Sequence, residues 1–556
     1  MHPTPARLLR LAQQAKQRWL SSFEQPRAFQ RDLLASFVTA NVDTAFGREH
    51  AFASITDEDD FRRLVPPRTY DQLAPWIERA AAGERGVLTA EQPYAFNRTS
   101  GSTSAAKLIP VLQSFDAGPM NQRHFVGLDT ILESHLEILD RPDTTLSFPF
   151  TRILASATKT AGGIVYSAAS NRPKAVQFAN DDRRGWPGGP FTPWGQVPPA
   201  VQTLVELDYY RARASIEHDL LALFTLNPST LVVFAQHLAQ SVPRLLAELR
   251  AGTILGEAGG PPNPQRAAAL EAIVREHGTL RPRDVWPNLR LIWSWKAASC
   301  ALYLPTVSEL FGPKVDIMPW PTVSSEVSIS VPVDHDDDAP LALPMAFFEL
   351  LPPDEEPSAT SRTLLCGEVT VGNEYQIIAT QMSGLYRYVT DDVVRVTGWQ
   401  DGKAGGVPRV EFVRRRGANS SFTGEKLTEH QVLQALQATL AKCRVRATNS
   451  TCCPVWSDPP YYALAIEPAA PIGEDDQARL AIAFDEALGV VNDEYPSKRA
   501  SGRLGPVRVH VLEPGAFARY NQLRVERGEP ASQMKDRTLQ RDASALQALL
   551  GPARQP

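Results

Sequence analysis

The sequence predicts an α/β fold in at least two domains, a large N-terminal part of β-sheets with flanking helices and a small α+β part after it. Three observations carry this. The 556 residues exceed the about 250–300 at which one hydrophobic core stops growing. From about residue 91 short β-type runs alternate with longer helical patterns, as α/β layers do. After a basic, Gly- and Ser-rich stretch at 414–424, the pattern restarts as helix, strand, helix and strand.

Residues 1–90 read mainly as helices, with turns at Pro66-Pro67 and Gly83. Arg7, Arg10, Lys16 and Arg18 precede the first acid, Glu24, which superficially suggests a transit peptide. Yet Leu8, Leu9, Leu11 and Leu20 fit one helical face, so a packed first helix is expected. Further on, residues 146–154, 230–234 and 289–293 read as strands, and 213–225, 236–250 and 265–277 as helices. Residues 252–264, rich in Gly and Pro, read as an exposed loop, and 334–338, dominated by Asp, as a solvated turn. Strands are expected at 345–350, 374–379, 393–397 and 409–413. After the linker come helix 429–442, strand 461–466, helix 475–488 and strand 507–512.

Composition excludes several classes. The chain is 43% hydrophobic and 21% charged, with 57 basic and 62 acidic residues and a net charge of -5. That balance exerts no general pull on nucleic acid or anionic membrane. The longest apolar stretches, at 341–351 and 231–235, read as buried strands and fall short of the about 18–20 residues of a bilayer span. Five cysteines without a Cys-x-x-Cys pair make no disulfide framework, so a reducing cytoplasm is expected. A monomer is the default.

Four segments carry chemistry. In Thr99-Ser100-Gly101-Ser102-Thr103-Ser104, closed by Lys107, hydroxyls, backbone N–H groups and one ammonium suit a phosphate loop. Its pattern is not Gly-x4-Gly-Lys-Ser/Thr. Ser324-Ser325-Glu326 puts a carboxylate at the mouth of a strand, where it can hold Mg²⁺ with nucleotide phosphates. Tyr386-Arg387-Tyr388-Val389-Thr390-Asp391-Asp392 offers a carboxylate, just before a strand, for ribose hydroxyls. Arg414-Arg415-Arg416, followed by Gly424-Glu425-Lys426-Leu427, could grip phosphates or form a hinge. Taken singly, each has a plainer reading: a Ser/Thr-rich turn, a solvated carboxylate, a hairpin, a solvated basic face.

Order and spacing together resemble the acyl-adenylate-forming superfamily. More narrowly, the chain is similar to the auxin-responsive acyl-acid amido synthetases, the plant enzymes that join hormone acids to amino acids, and their bacterial relatives. The likeness extends through residues 41–50, 65–70, 96–110, 286–289 and 372–375 to 533–537, nearly the whole chain.

The resemblance implies an enzyme that uses ATP and Mg²⁺ to adenylate a carboxylic acid and then passes the acyl group to an amine, an amino acid by preference. It implies an adenylation domain at 1–413 with the ATP and acyl-acid sites, a hinge at 414–425 and a mobile α+β domain at 426–556. By position, residues 99–104 and Lys107 match the phosphate loop, and Glu326 the Mg²⁺-linked glutamate with Ser324 and Ser325 beside the nucleotide. Asp392 matches the ribose aspartate, Arg414 and Lys426 the hinge, and Lys535 the lysine at the adenylation centre. Tyr166, Trp293 and Phe347 are candidates for an acyl wall, with core packing as their plainer role.

Three positions depart from the family pattern. Thr322 stands where an aromatic commonly faces adenine, leaving Trp320 as the nearest substitute. Asp391 stands where Gly commonly precedes the ribose aspartate. Trp295-Lys296-Ala297-Ala298-Ser299 replaces a Gly-rich run. Two rival readings follow: an acyl–coenzyme A ligase, with a thiol acceptor, and a degenerate ATP- or acid-binding protein.

Overall fold

A computed structural model describes residues 5–98, 107–139, 144–148, 152–153, 158–167, 196–198, 201, 203–403, 405–416, 419–420, 425, 427–457, 459–492, 495–500, 504–527, 536–540 and 542–551. Two compact units emerge. One comprises residues 1–296 and 308–412, the other 297–307 and 413–556.

The first unit opens with helices whose ends are set by local chemistry. Thr44 caps Ala45–Glu49 through Gly47 N–H, and Asp57 caps Glu58–Leu64 through Asp60 N–H. Thr69 precedes Tyr70–Ala81, its own N–H bonded to Gln72 Oε1 at 2.9 Å. The helix Pro5–Ser21 buries Leu8, Ala12, Ala15 and Trp19, and its Lys16 pairs with Glu133 at 2.5 Å and Asp129 at 3.5 Å. The first helix is therefore a packed element. Its buried face centres on Trp19, whereas Leu20 is exposed.

Two further layers position the candidate site. A four-stranded, all-parallel sheet runs in the order Asp316–Pro319, Leu291–Ser294, Ala222–Phe224, Thr145–Ser147. In open α/β sheets ligands bind beyond the carboxyl ends of such strands. An antiparallel five-stranded sheet has the order Ala339–Pro340, Pro408–Arg415, Tyr388–Trp399, Glu374–Thr380, Phe347–Leu351. Its apolar residues, among them Phe348, Leu350, Ile377, Val394 and Val396, join Leu8, Trp19 and Leu128 in the largest core cluster.

The second unit pairs Ala447–Val455, Tyr461–Pro468 and Arg508–Val511 into a sheet, with the helices Glu429–Cys443 and Glu474–Val491 against it. Thr428 caps the first of these helices through Gln431.

Some local expectations fail. Residues 231–235, read as a strand, lie in the helix Ser229–Gln240. Their apolar, β-branched run is long enough for either state, and Leu231, Phe234 and Leu238 form a buried helical stripe. The helix expected at 213–225 ends at Ser215, and Ala222–Phe224 is a central strand. The loop at 252–264 contains a two-strand hairpin, Thr253–Ile254 with Glu257–Ala258. The acidic turn at 334–338 is not merely solvated. Asp334 and Asp338 enclose the buried Arg409 guanidinium, with Nη1–Asp334 Oδ2 and Nε–Asp338 Oδ1 both at 2.7 Å.

Candidate functional site

Glu326 sits at the turn of a short hairpin, Thr322–Val323 against Ser328–Ser330, where the register shifts. Ser324 makes that turn. Its N–H bonds to Val327 O at 2.8 Å, and its Oγ accepts the N–H groups of Glu326 (3.3 Å) and Val327 (3.1 Å). Gln381 Nε2 donates to the Glu326 backbone carbonyl, tying the hairpin to the turn after strand Glu374–Thr380. Glu326 is only 7% exposed. No side chain among the described residues hydrogen-bonds its carboxylate. Ser325 is half-buried. Such a carboxylate, sequestered but uncommitted, is a ligand-ready group, because a buried charge is stable only when paired.

A cation approaches the same hairpin. Arg123, on the helix Asn121–Leu132, donates from Nη1 to Ser328 Oγ at 2.5 Å. Burial pushes its guanidinium down to about 10, and the Asp116 carboxylate opposes that shift. A π-helical turn, Asp116–Met120, precedes this helix, a feature that gathers at functional sites. Sequence reasoning did not find Arg123. A lone Arg between Gln122 and His124 has no spacing that announces it.

Residues 99–106 lie outside the described residues, but both flanks of the loop are fixed. Arg98 pairs with Leu108 across antiparallel strands, so residues 99–107 connect the two. Lys107 is half-buried, its Nζ 5.2 Å from the centroid of the Tyr70 ring. Tyr70 Oη accepts the Leu108 N–H at 2.8 Å. Burial raises the Tyr70 phenol above its usual range, and the charges of Glu78, Asp71 and Glu326 add to the shift. Tyr70 thus adjoins Lys107 and feels the charge of Glu326.

Asp392 does not precede its strand. It lies within Tyr388–Trp399, in a bulge. Val389 faces Ile378 and Val393 faces Gln376, so residues 390–392 stand opposite Ile377 alone, an excess of two. Thr390 staples the bulge, donating from Oγ1 to Ile377 O (2.9 Å) and accepting the Asp392 N–H (3.1 Å). Asp391 has φ +62°, the left-handed conformation that glycine favours. Asp is one of the few other residues that tolerates it. Ala298, in the segment that replaces the Gly-rich run, likewise has φ +52°.

Arg387, three residues before the bulge, proves structural. It is 1% exposed and forks onto Glu349, Nε–Oε2 and Nη2–Oε1 both at 2.9 Å. Its Nη1 also donates to the carbonyls of Arg62 (2.9 Å) and Val65 (2.8 Å).

The aromatic candidates are largely core. Trp320 is packed on Trp293, ring centroids 3.9 Å apart, and both belong to a buried cluster with Phe224. Phe347 is buried against Phe61. Tyr166 is half-buried on Val165–Ser167. Thr322 pairs with Ser330 in the glutamate hairpin.

In the second unit Lys426 and Lys535 lie outside the described residues, while their neighbours are fixed. Glu425, 1% exposed, accepts the Tyr462 hydroxyl at 2.7 Å, and its carbonyl accepts Asn492 Nδ2 at 2.8 Å. Asp536 accepts the hydroxyl of Tyr303 at 3.1 Å. Arg414 is half-buried near the end of strand Pro408–Arg415. Among the described residues no group of three His, Cys, Asp or Glu could hold a metal alone. No helix there is long and apolar enough to cross a membrane. All five cysteines are free thiols.

Comparison with known proteins places this geometry in a lineage. The GH3 family N-terminal domain matches residues 15–316, the GH3 family central domain residues 339–415 and the GH3 family C-terminal domain residues 430–544. The chain is 25% identical to the indole-3-acetic acid-amido synthetase GH3.8 of Oryza sativa subsp. indica, over 91% of this chain and 87% of that protein. It is 23% identical to the indole-3-acetic acid-amido synthetase GH3.3 of Arabidopsis thaliana, over 91% and 88%. Among solved structures it superposes on AtGH3.15 acyl acid amido synthetase in complex with 2,4-DB. That match has a TM-score of 0.80 and 20% identity, covering 99% of this chain and 97% of that one.

Proposed function

This chain belongs to the GH3 family, and on that premise we propose that it is an ATP-dependent acyl-acid amido synthetase. The observation that carries the reading is the match to all three family domains, in order along the chain.

In the first half-reaction an oxygen of the substrate carboxylate attacks the α-phosphorus of ATP, and pyrophosphate leaves. In the second, a neutral amine attacks the acyl carbonyl, AMP leaves and the amine's proton passes to water. The amine is an amino acid, and the acid belongs to the small carboxylic acids that the relatives' names describe. Both partners of the first step are anions, so charge must be offset. Lys107 and the hydroxyls of residues 99–104 face the phosphates. Lys535 neutralises charge at the reacting centre, and Arg123 is the cation for the acid's carboxylate. Asp392 accepts the ribose hydroxyls.

Mg²⁺ characteristically takes one or two carboxylates together with phosphates and water. The single uncommitted carboxylate of Glu326 fits that need. When bound, the ion would offset phosphate charge. Residues 414–425, with Arg414 and Lys426, serve as the hinge on which residues 426–556 turn between half-reactions, closing the site against water that would hydrolyse the adenylate. Free cysteines fit a cytoplasmic protein.

The degenerate-binder reading loses part of its motive. Asp391 and Ala298 adopt glycine-like backbone angles, so those two departures leave the local backbone shape intact.

The test is pyrophosphate release with ATP, Mg²⁺ and a panel of aryl, indole and fatty acids, with and without mixed amino acids. Acid-dependent release that falls at least about 100-fold in Glu326→Ala is expected. Amide product without thioester separates the reading from a coenzyme A ligase. Silence across the panel despite ATP binding would overturn it.

A further inference from the structure

We infer that Tyr70 is a positioning residue whose ring holds the Lys107 ammonium toward the nucleotide phosphates without neutralising it. The inference deepens the proposed function, because it rests on Lys107 being a phosphate ligand.

Tyr70 does two things at one place in the chain. Its hydroxyl accepts the N–H of Leu108 at 2.8 Å, fixing the backbone just after Lys107. Its ring lies under the Lys107 ammonium, 5.2 Å from centroid to Nζ. Tyr70 is itself anchored as the first residue of Tyr70–Ala81, behind the Thr69–Gln72 cap. No carboxylate among the described residues forms an ion pair with Lys107.

That choice of partner matters chemically. An ammonium bound to a carboxylate is neutralised, and phosphate must displace the acid. An ammonium on a π-face keeps its full charge and its N–H donors, and loses only wandering. The attraction at a partly exposed site corresponds to about two- to fivefold in an equilibrium constant. The Glu326 charge also reaches Tyr70, yet the Lys107 ammonium is held at the ring.

The experiment is an equilibrium titration of the full-length protein with ATP, read by calorimetry, which needs no knowledge of the acid. Lys107→Ala is expected to weaken ATP binding about tenfold, as loss of a charge-assisted phosphate contact does. Tyr70→Leu should weaken it about two- to fivefold, and the double variant should be no weaker than Lys107→Ala alone. Thermal melting without ATP checks that each variant folds. A second series is isosteric and so independent of that check: trifluoro- and pentafluoro-phenylalanine at position 70, measured against Tyr70→Phe. Affinity should fall stepwise as fluorination drains the ring face, and the steps should vanish in Lys107→Ala.

Additive losses in the double variant, or a flat fluorination series, would overturn the role of Tyr70 and leave the phosphate role of Lys107 standing. Unchanged ATP affinity in Lys107→Ala would overturn both, while leaving the activity itself to pyrophosphate release.

Discussion

Two arginines in the first unit, Arg387 buried and Arg123 half-buried, show opposite designs. Arg387 spends its donors inside the protein, on both oxygens of Glu349 and on the carbonyls of Arg62 and Val65. Among the described residues Arg123 makes one hydrogen bond, to Ser328 Oγ, in the hairpin whose turn carries Glu326. Buried charge that is fully paired holds a fold together, and buried charge left open is kept for a ligand. Both arginines belong to segments with chemistry nearby, so the partner count, rather than the residue type, separates structure from function.

The largest expected effect breaks the saturated side. Glu349→Ala would leave the Arg387 guanidinium buried without its counter-charge. Removing one partner of such a pair costs about 3–5 kcal/mol, so urea melts of the variant should shift strongly whatever the acid or amine present. Arg123→Gln, in contrast, should move stability by less than about 1 kcal/mol while raising the KM for the acid. If both variants lose similar stability, the contrast between the two arginines fails.

The Arg409 cage sharpens the comparison along a pH axis, because its guanidinium is buried and saturated while its carboxylates reach solvent. The Asp334 carboxyl is itself pushed upward by burial. Its hydrogen bond and charge pairing with Arg409 more than offset that and hold it below the usual range. A carboxyl with a depressed folded value contributes stability above its unfolded value, near 4, and loses it as pH falls through the folded value. Acid unfolding followed by circular dichroism should therefore show a shallower stability loss below about pH 4 in Asp334→Asn. Stability near neutrality should fall modestly, as is usual for pairs with one exposed partner. An unchanged acid slope would mean that the cage is not linked to folding.

How far the sequence reveals this molecule follows from what each signal depends on. The strands at 374–379 and 461–466 and the helices at 265–277 and 475–488 were legible because propensity, period and burial agree there. Residues 231–235 were misread because a short run of Val, Leu and Phe suits a helix stripe and a buried strand equally. The strand Ala447–Val455 was not singled out. Residues 449–454 are buried, so no alternation marks them, and Pro454 argues against a strand. Around the candidate site the motifs shape their own turns, Ser324 closing the hairpin at Glu326 and Thr390 the bulge at Asp392, but a bulge inside a strand was not legible, and Asp392 was expected before its strand. Tyr70 stood in a recognised segment without a role, since its partner Lys107 is 37 residues away, a pairing that only folding reveals.

The smallest expected effect lies four residues after Arg387, at Asp391. Its φ of +62° is a glycine conformation held by a side-chain-bearing residue. The left-handed region costs an ordinary L-residue about 1–2 kcal/mol, and Asp less. Glycine in its place would remove that strain but bring about 0.5–1 kcal/mol of extra unfolded-chain entropy, so Asp391→Gly should leave stability within about 0.5 kcal/mol of wild type. Asp391→Ala removes the same carboxylate yet keeps a Cβ, and should fall about 1 kcal/mol below the glycine variant. Because both variants lose the carboxylate alike, their difference in urea midpoint reports the backbone alone. Equal midpoints would mean that the bulge does not hold this residue left-handed in solution, and the glycine-like shape argued for the ribose side of the site would go with it.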